Sequence, residues 1–259
     1  MKILSWNVAG LRARLKNCDF KFLYHEKIDI VCLQETKCTQ EQIKLPEELI
    51  NNYSFRYWNS SDGTSQRNGL SGTTIWCNIE PVKYLETPEF DNEGRIIALE
   101  FKEFILINVY VPNSQSIESV RFLYREQFNN HFIKYVEDLK KSIKKEVIIC
   151  GDMNVALSKL DVNNSDKKLN KVAGHYLMEI NSFEDFLTKN KLYDIFRLFN
   201  SDKRISTYWS NFLKQERCNT NGWRIDYILI TKNLIKLVKN LKICDEVMSS
   251  DHCPIYIEF

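Results

Sequence analysis

Near its end the 259-residue chain places Ser250, Asp251, His252 and Cys253 side by side, just before the alternating apolar run Ile255–Phe259. An imidazole next to a thiol is a fragment of a zinc site, whereas an imidazole next to a carboxylate is a fragment of an acid–base site. Structural zinc needs three or four Cys or His ligands at characteristic spacings. Neither Cys253 nor His25, His131 or His175 has a partner of that kind, and the eight cysteines contain no C-x-x-C pair. Acid–base chemistry is the better account. A carboxylate elsewhere would then orient His252 and stabilise its protonated form, and Asp226 in "GWRIDYILI" is the candidate. Two further strings carry oxygen donors. Glu35 in "QETK" is either an exposed acid at a strand end or a hard ligand of the type Mg²⁺ prefers. In "IICGDMNVA", Asp152 and Asn154 lie two apart and share a side if the backbone stays extended. Asp152 could then orient or deprotonate water while Asn154 donates to a phosphate oxygen. The same four residues, "GDMN", also suit a β-turn.

The elements that must position these groups are mostly strands. Apolar runs occur at 2–8 (KILSWNV), 29–35 (DIVCLQE), 72–78 (GTTIWCN), 95–101 (RIIALEF), 104–112 (FILINVYVP), 146–155 (EVIICGDMNV), 223–230 (WRIDYILI) and 254–259 (PIYIEF). Several are almost wholly apolar, as expected of strands covered on both faces. Residues 119–145 and 179–191 repeat apolar side chains at helical spacing, and 158–171 (SKLDVNNSDKKLNK) is expected to be a polar loop. No linker or internal repeat divides the chain, so residues 1–259 form one α/β domain in which helices cover two packed sheets. Polar residues close strand after strand: Asn7, Glu35, Tyr110 with Asn113, Asp152 with Asn154, Asp226, and Asp251 with His252. Such endings predict a single rim on which they converge.

Bulk properties narrow the classes. Lys and Arg nearly balance Asp and Glu, for a net charge of +2, so a nucleic-acid partner would have to be met by a local groove. The start of the chain does not resemble a secretory signal, and no apolar run is long enough to span a membrane. The expectation is an intracellular protein, cytoplasmic or nuclear, whose cysteines are reduced and mostly in the core.

Taken in order, "KILSWNVAGLRA", "DIVCLQETK", "SGTTIW", "DNEGRIIALEF", "NVYVPN", "IICGDMNVA", "STYWS", "GWRIDYILI" and "SDHCPI" cover the chain from end to end. The set resembles the exonuclease III type of apurinic/apyrimidinic (AP) endonuclease, within the endonuclease/exonuclease/phosphatase superfamily. The resemblance implies a four-layer α/β sandwich, with two mixed β-sheets packed face to face and helices outside. It implies Mg²⁺-dependent incision of DNA 5′ to an abasic site, with Mn²⁺ as a substitute, leaving a 3′-hydroxyl and a 5′-deoxyribose phosphate. Activity on blocked 3′ ends, as a 3′-phosphodiesterase or 3′→5′ exonuclease, usually accompanies it. The partner would be double-stranded DNA, the enzyme a monomer. On matching positions Glu35 would bind the metal, with Asn7 and Asp251 near it. Asp152 would position or deprotonate the attacking water. Tyr110, Asn113 and Asn154 would hold the scissile phosphate, and His252, held by Asp226, would stabilise its developing charge.

Departures stand beside this. Ala9 replaces an acid or Asn common after "SWNV" in relatives. The loop after "VPN" reads "SQSIESVR", so its first base is Arg121. Trp209, Phe212 and Trp223 fall where a pocket for a flipped-out abasic sugar is expected, with Tyr208 as a weaker candidate. The lysines of 158–171 are candidates for phosphate contact. Phosphatases and lipid phosphodiesterases of the same superfamily share the Asn, Glu, Asp-x-Asn and Asp-His core. A catalytically dead scaffold would be expected to have lost a charged rim residue, and none is lost.

Overall fold

Ile3 and Leu4 are neighbours in the chain but serve different cores. Ile3 packs between two β-sheets, and Leu4 packs outward beneath helices. Successive strand side chains point to opposite faces, so a strand covered on both sides must be apolar throughout. That is why the wholly apolar runs of this sequence became its central strands. The computed structural model describes residues 1–17, 19–61, 70–210, 217 and 221–259.

In chain order the strands are β1 (Lys2–Asn7), β2 (Ile30–Gln34), β3 (Phe55–Asn59), β4 (Thr73–Cys77), β5 (Lys83–Leu85), β6 (Ile96–Glu100), β7 (Phe104–Tyr110), β8 (Glu146–Asp152), β9 (Leu192–Asp194), β10 (Asp226–Thr231), β11 (Asn240–Ile243) and β12 (Ile255–Glu258). They form two six-stranded sheets, ordered β11-β12-β1-β2-β4-β3 and β5-β6-β7-β8-β10-β9. Each is mixed. Only β1–β2 in the first and β7–β8 in the second are parallel, and the other pairs among the described residues are antiparallel.

Helices α1 (Leu11–Lys16), α2 (Phe22–Glu26) and α3 (Glu47–Asn52) lie outside the first sheet. Their Leu11, Leu23 and Leu49 meet Trp6, Val31 and Trp76. The long α4 (Val120–Ile143) and, beyond α5 (Ser165–Lys168), α6 (Leu177–Asn190) cover the second sheet. Phe128, Phe132, Phe183 and Phe186 pack there against Ile105, Ile107 and Ile149. A short α7 (Ile195–Phe199) follows β9. The result is the expected four-layer α/β sandwich. Among the described residues no helix is long and apolar enough to cross a membrane, and six cysteines are free and buried.

The boundaries differ from expectation in instructive ways. Ser119 caps α4 by accepting the Phe122 N–H, and Lys144 ends it in a left-handed turn. The polar stretch 158–171 is not wholly loop, since α5 forms within it. More consequentially, Asp226 does not end a strand. It opens β10, which runs antiparallel to β8 and pairs Asp226 with Asp152. Asp251 and His252 likewise precede β12, which runs antiparallel to β1. The rim therefore gathers the ends of parallel strands and the beginnings of antiparallel ones.

Beneath that rim the two sheets are joined by polar side chains. Gln34 donates to Ser5 Oγ (3.0 Å) and to Asn108 Oδ1 (2.7 Å). Asn108, in the opposite sheet, donates to the carbonyls of Leu33 and Thr74. Buried hydrogen bonds that cross between the sheets in this way favour one mutual arrangement of them. At the edge of the network Gly151 adopts φ +146°, and a Cβ built there would lie 1.8 Å from the Val109 carbonyl oxygen. Gly151→Ala is therefore expected to destabilise the fold by at least about 2 kcal/mol, measured by urea denaturation, because backbone rather than a movable side chain blocks the methyl.

Candidate active site

His252 is 4% exposed, and its Nδ1 lies 2.8 Å from Asp226 Oδ2. A carboxylate oxygen accepts, so Nδ1 carries the proton and Nε2 faces the other way, 3.8 Å from Asp152 Oδ2. Burial by itself would weaken the imidazolium, but the Asp226 and Asp152 carboxylates outweigh it and raise the pKa to about 10. The ring is thus a cation at neutral pH, with an N–H available at Nε2. Asp152 is shifted as well. Burial pushes its carboxyl up to about 7 although the His252 cation opposes this. Its two oxygens are occupied by fixed donors: the Asn154 N–H at 2.8 Å on one, the Asn7 Nδ2 at 3.0 Å on the other. A carboxylate of near-neutral basicity, held immobile in a cleft, has the properties of a general base.

Asn7 itself is fully buried. It stands behind Asp152 and does not line the cleft, its Oδ1 accepting from the Ala9 N–H. Both atoms of its amide are engaged by protein, Nδ2 by Asp152 and Oδ1 by Ala9, so its observed contact is with the Asp152 carboxylate.

Glu35 follows β2 in a left-handed conformation, φ +53°, which costs a non-glycine residue on the order of 1 kcal/mol and is tolerated where the surroundings enforce it. Gly10 N–H and Leu11 N–H donate to the Glu35 and Thr36 carbonyls and hold the turn in place. Its carboxylate accepts from the Tyr110 hydroxyl and pairs with Lys37 Nζ at 2.7 Å. Burial would raise Glu35, yet Lys37 and Tyr110 hold it below the usual carboxylate range. Burial and the Glu35 charge drive Tyr110 well upward, so it remains a neutral donor. Behind Tyr110, buried Arg95 lies 4.6 Å from its ring and donates to its carbonyl, with Glu93 as counter-ion at 2.7 Å.

One cleft of about 460 Å³ collects Glu35, Tyr110, Asn113, Asp152, Asn154, Trp223, Asp251 and His252. Asn113 Nδ2 donates to Asn154 Oδ1 at 3.2 Å, so the two amides act together. The donor set suits a hard divalent cation. Asp152, Asp226 and His252 lie within ligand distance of one another, but Asp226 and His252 bind each other and the imidazolium repels a cation. The two other carboxylates lining the cleft are Glu35 and Asp251. An ammonium already sits on Glu35, so that oxygen accepts a positive neighbour.

The cleft wall departs from expectation. Trp223 lines it, bridged to Tyr208, whose ring centroid is 4.8 Å from that of His252. Trp209 does not reach the cleft. It is 1% exposed and supports the site from behind, its N–H donating to the Asp251 carbonyl. Phe212 lies outside the described residues. Arg121 lines a neighbouring cleft of about 700 Å³ that shares Glu35, Tyr110 and Asn113, and it is bound there to both oxygens of Glu93, at 2.6 and 3.0 Å. Of the lysines of 158–171, Lys168 stacks 4.8 Å from the Trp223 ring. Gly174 and Val172 complete the wall. Sequence reasoning gave no role to Lys37, Glu93 or Arg95. The signal for Arg95 was available, as a charge immediately before the apolar run Ile96–Leu99.

The profile of the Endonuclease/Exonuclease/phosphatase family matches residues 4–252. The chain is 37% identical to the exodeoxyribonuclease of Bacillus subtilis, over 98% of each chain. It is 36% identical to the DNA repair nuclease APEX1 of Danio rerio, over 98% of this chain and 81% of that one. Among solved structures, an AP endonuclease from Archaeoglobus fulgidus superposes with a TM-score of 0.85 at 26% identity, covering 100% of this chain and 99% of the other.

His175 anchors the wall. Its Nδ1 donates to the Ala156 carbonyl at 3.0 Å, and Nε2 accepts from Ser165 Oγ at 2.8 Å. Burial lowers its pKa. Between that lowered value and the ordinary value of about 6.5 the unfolded chain binds a proton that the folded chain does not, so stability falls as pH drops through this window. In urea denaturation at about pH 7 and about pH 5, wild type is expected to lose more stability than His175→Gln. Equal losses would show that the ring titrates without cost.

Proposed function

Because the chain belongs to the Endonuclease/Exonuclease/phosphatase family, we propose that it is a DNA repair nuclease acting on abasic sites. It hydrolyses the phosphodiester 5′ to the lesion, leaving a 3′-hydroxyl and a 5′-deoxyribose phosphate, and trims blocked 3′ ends. The substrate is double-stranded DNA and the working form a monomer, inside the cell. The observation that carries this function is the opposition, across one cleft, of a buried imidazolium and a buried carboxylate of near-neutral basicity, flanked by two asparagine amides and a neutral phenol.

In that frame Asp152 takes the proton of the attacking water. His252 donates from Nε2 to a non-bridging phosphate oxygen, and Asp226 keeps the ring charged and aimed. Asn113, Asn154 and Tyr110 hold the phosphate so that little rearrangement is needed as charge develops. Glu35 and Asp251 would hold Mg²⁺, or Mn²⁺ in its place, which when bound neutralises charge on the phosphate and leaving oxygen. Trp223 and Tyr208 present aromatic faces that could enclose a sugar without a base.

Incision of a labelled duplex carrying one tetrahydrofuran abasic analogue, with Mg²⁺ and then with EDTA, tests the proposal. A single metal-dependent cut 5′ to the analogue is expected. No cut, with phosphate released from an inositol phosphate instead, would assign the site to the phosphatase branch. Glu35→Ala and His252→Ala are each expected to slow incision by at least about 100-fold, or about 2.7 kcal/mol of transition-state stabilisation. Asp226→Asn is expected to slow it less, since it alters only the orientation and charge of His252. Near-normal turnover in a folded Glu35 or His252 variant would remove that residue from the mechanism.

A further inference from the structure

Arg125 is a charge on an otherwise apolar helical face. It precedes Phe128 and Phe132 of α4 by three and seven residues, and it is 1% exposed. Its guanidinium reaches into the two loops that follow β7 and β8. One terminal nitrogen, Nη1, donates to the Pro112 carbonyl at 2.5 Å and to the Asn154 carbonyl at 3.3 Å. The other, Nη2, donates to the Met153 carbonyl at 2.9 Å. Nε donates to Asn129 Oδ1, 2.9 Å away, which sets the plane of the group. Pro112 immediately precedes Asn113, and Met153 immediately precedes Asn154. A single planar fork therefore ties together the backbones that carry the two amides facing the cleft.

The rest of the network has the same effect. Glu179 of α6 lies 3.9 Å from the guanidinium and balances its charge while accepting the Tyr176 N–H. Tyr176 in turn donates its hydroxyl to the Gln115 carbonyl, on the loop that follows Asn113. Asn154 needs such support. It sits at φ +47° with Nδ2 donating to the Val111 carbonyl, so its amide faces Asn113 only while both loops hold their places. A lysine could supply the charge but not the flat, three-carbonyl span.

Building on the nuclease function proposed above, we infer that Arg125 is a positioning residue for catalysis: it sets the Asn113–Asn154 amide pair against the phosphate without touching the substrate. Loss of the fork should then lower turnover and leave DNA binding nearly intact, because the amides would still be present but poorly aligned.

The test is a double-mutant cycle on abasic-site incision, with kcat and KM measured separately and Tm recorded for each variant. Arg125→Lys is expected to stay folded and to lower kcat by roughly 30-fold, with KM changed less than about 3-fold. Asn129→Ala, which frees only the plane of the fork, should lower kcat by roughly 10-fold. On an Asn154→Ala background either substitution should add less than about 3-fold, because its effect passes through that amide. If Arg125→Lys does not fold, Asn129→Ala completes the same cycle. Multiplicative losses, or unchanged kcat in folded variants, would overturn the inference alone. An Asn154→Ala enzyme that incises at the wild-type rate would overturn both the inference and the proposed use of this cleft.

Discussion

The site depends on one contact above all, the hydrogen bond from Asn7 in the first sheet to Asp152 in the second. Glu35 and the 250–252 segment belong to the first sheet's strand ends. Tyr110, Asn113, Asp152, Asn154 and Asp226 belong to the second. Neither sheet alone holds both the Asp152 carboxylate and the His252 imidazole that face each other at 3.8 Å. What fixes their relation is the joint between the sheets beneath the rim, in which Gln34 donates to Asn108 and Asn108 donates to the Leu33 and Thr74 carbonyls. Because strand side chains alternate, a slip of one residue in any central strand would turn its polar terminus into the core. The register that builds the apolar interior therefore also aims the site.

The electrostatic arrangement follows from that geometry. Four acids surround the cleft, and each has a different companion. Asp226 has the imidazolium, Glu35 has Lys37 and Tyr110, Asp152 has neutral amides, and the Asp251 carboxylate accepts from the Ser250 hydroxyl. Glu35 is thereby held below the usual carboxylate range while burial pushes Asp152 above it. Burial makes these differences large, since charges interact more strongly where water is excluded.

Much of this was legible in the sequence. The central strands announced themselves as apolar runs, and the polar residues interrupting those runs are the ones that meet in the cleft. Edge and connecting pieces were not legible. Strand β3 is half-exposed along its whole length, β5 and β9 have three residues each, and α1 to α3 are single turns or little more. Such segments are held by neighbours rather than by their own periodicity. The direction of approach to the rim was misjudged for Asp226 and His252, because strand polarity is a property of pairing and not of composition. Trp209 was misplaced for a related reason: an aromatic residue suits a pocket wall and a core equally, and only the chain path decides. The buried Arg125 did leave a trace, a cation on an apolar helical stripe, which signals an internal partner.

Asn7 also bears on how the protein comes into being. Its carbonyl accepts from Ser250, and its amide holds Asp152, so one residue from the first strand touches groups 145 and 243 positions away along the chain. Contacts of such long sequence separation are slow to form, because the intervening chain must be ordered first. On the ribosome, β1 waits for β12 as its antiparallel neighbour, with Lys2 opposite Glu258. The cleft therefore needs both β1 and the segment that leads into β12, and a chain cut short before Ser250 would lack half of its groups.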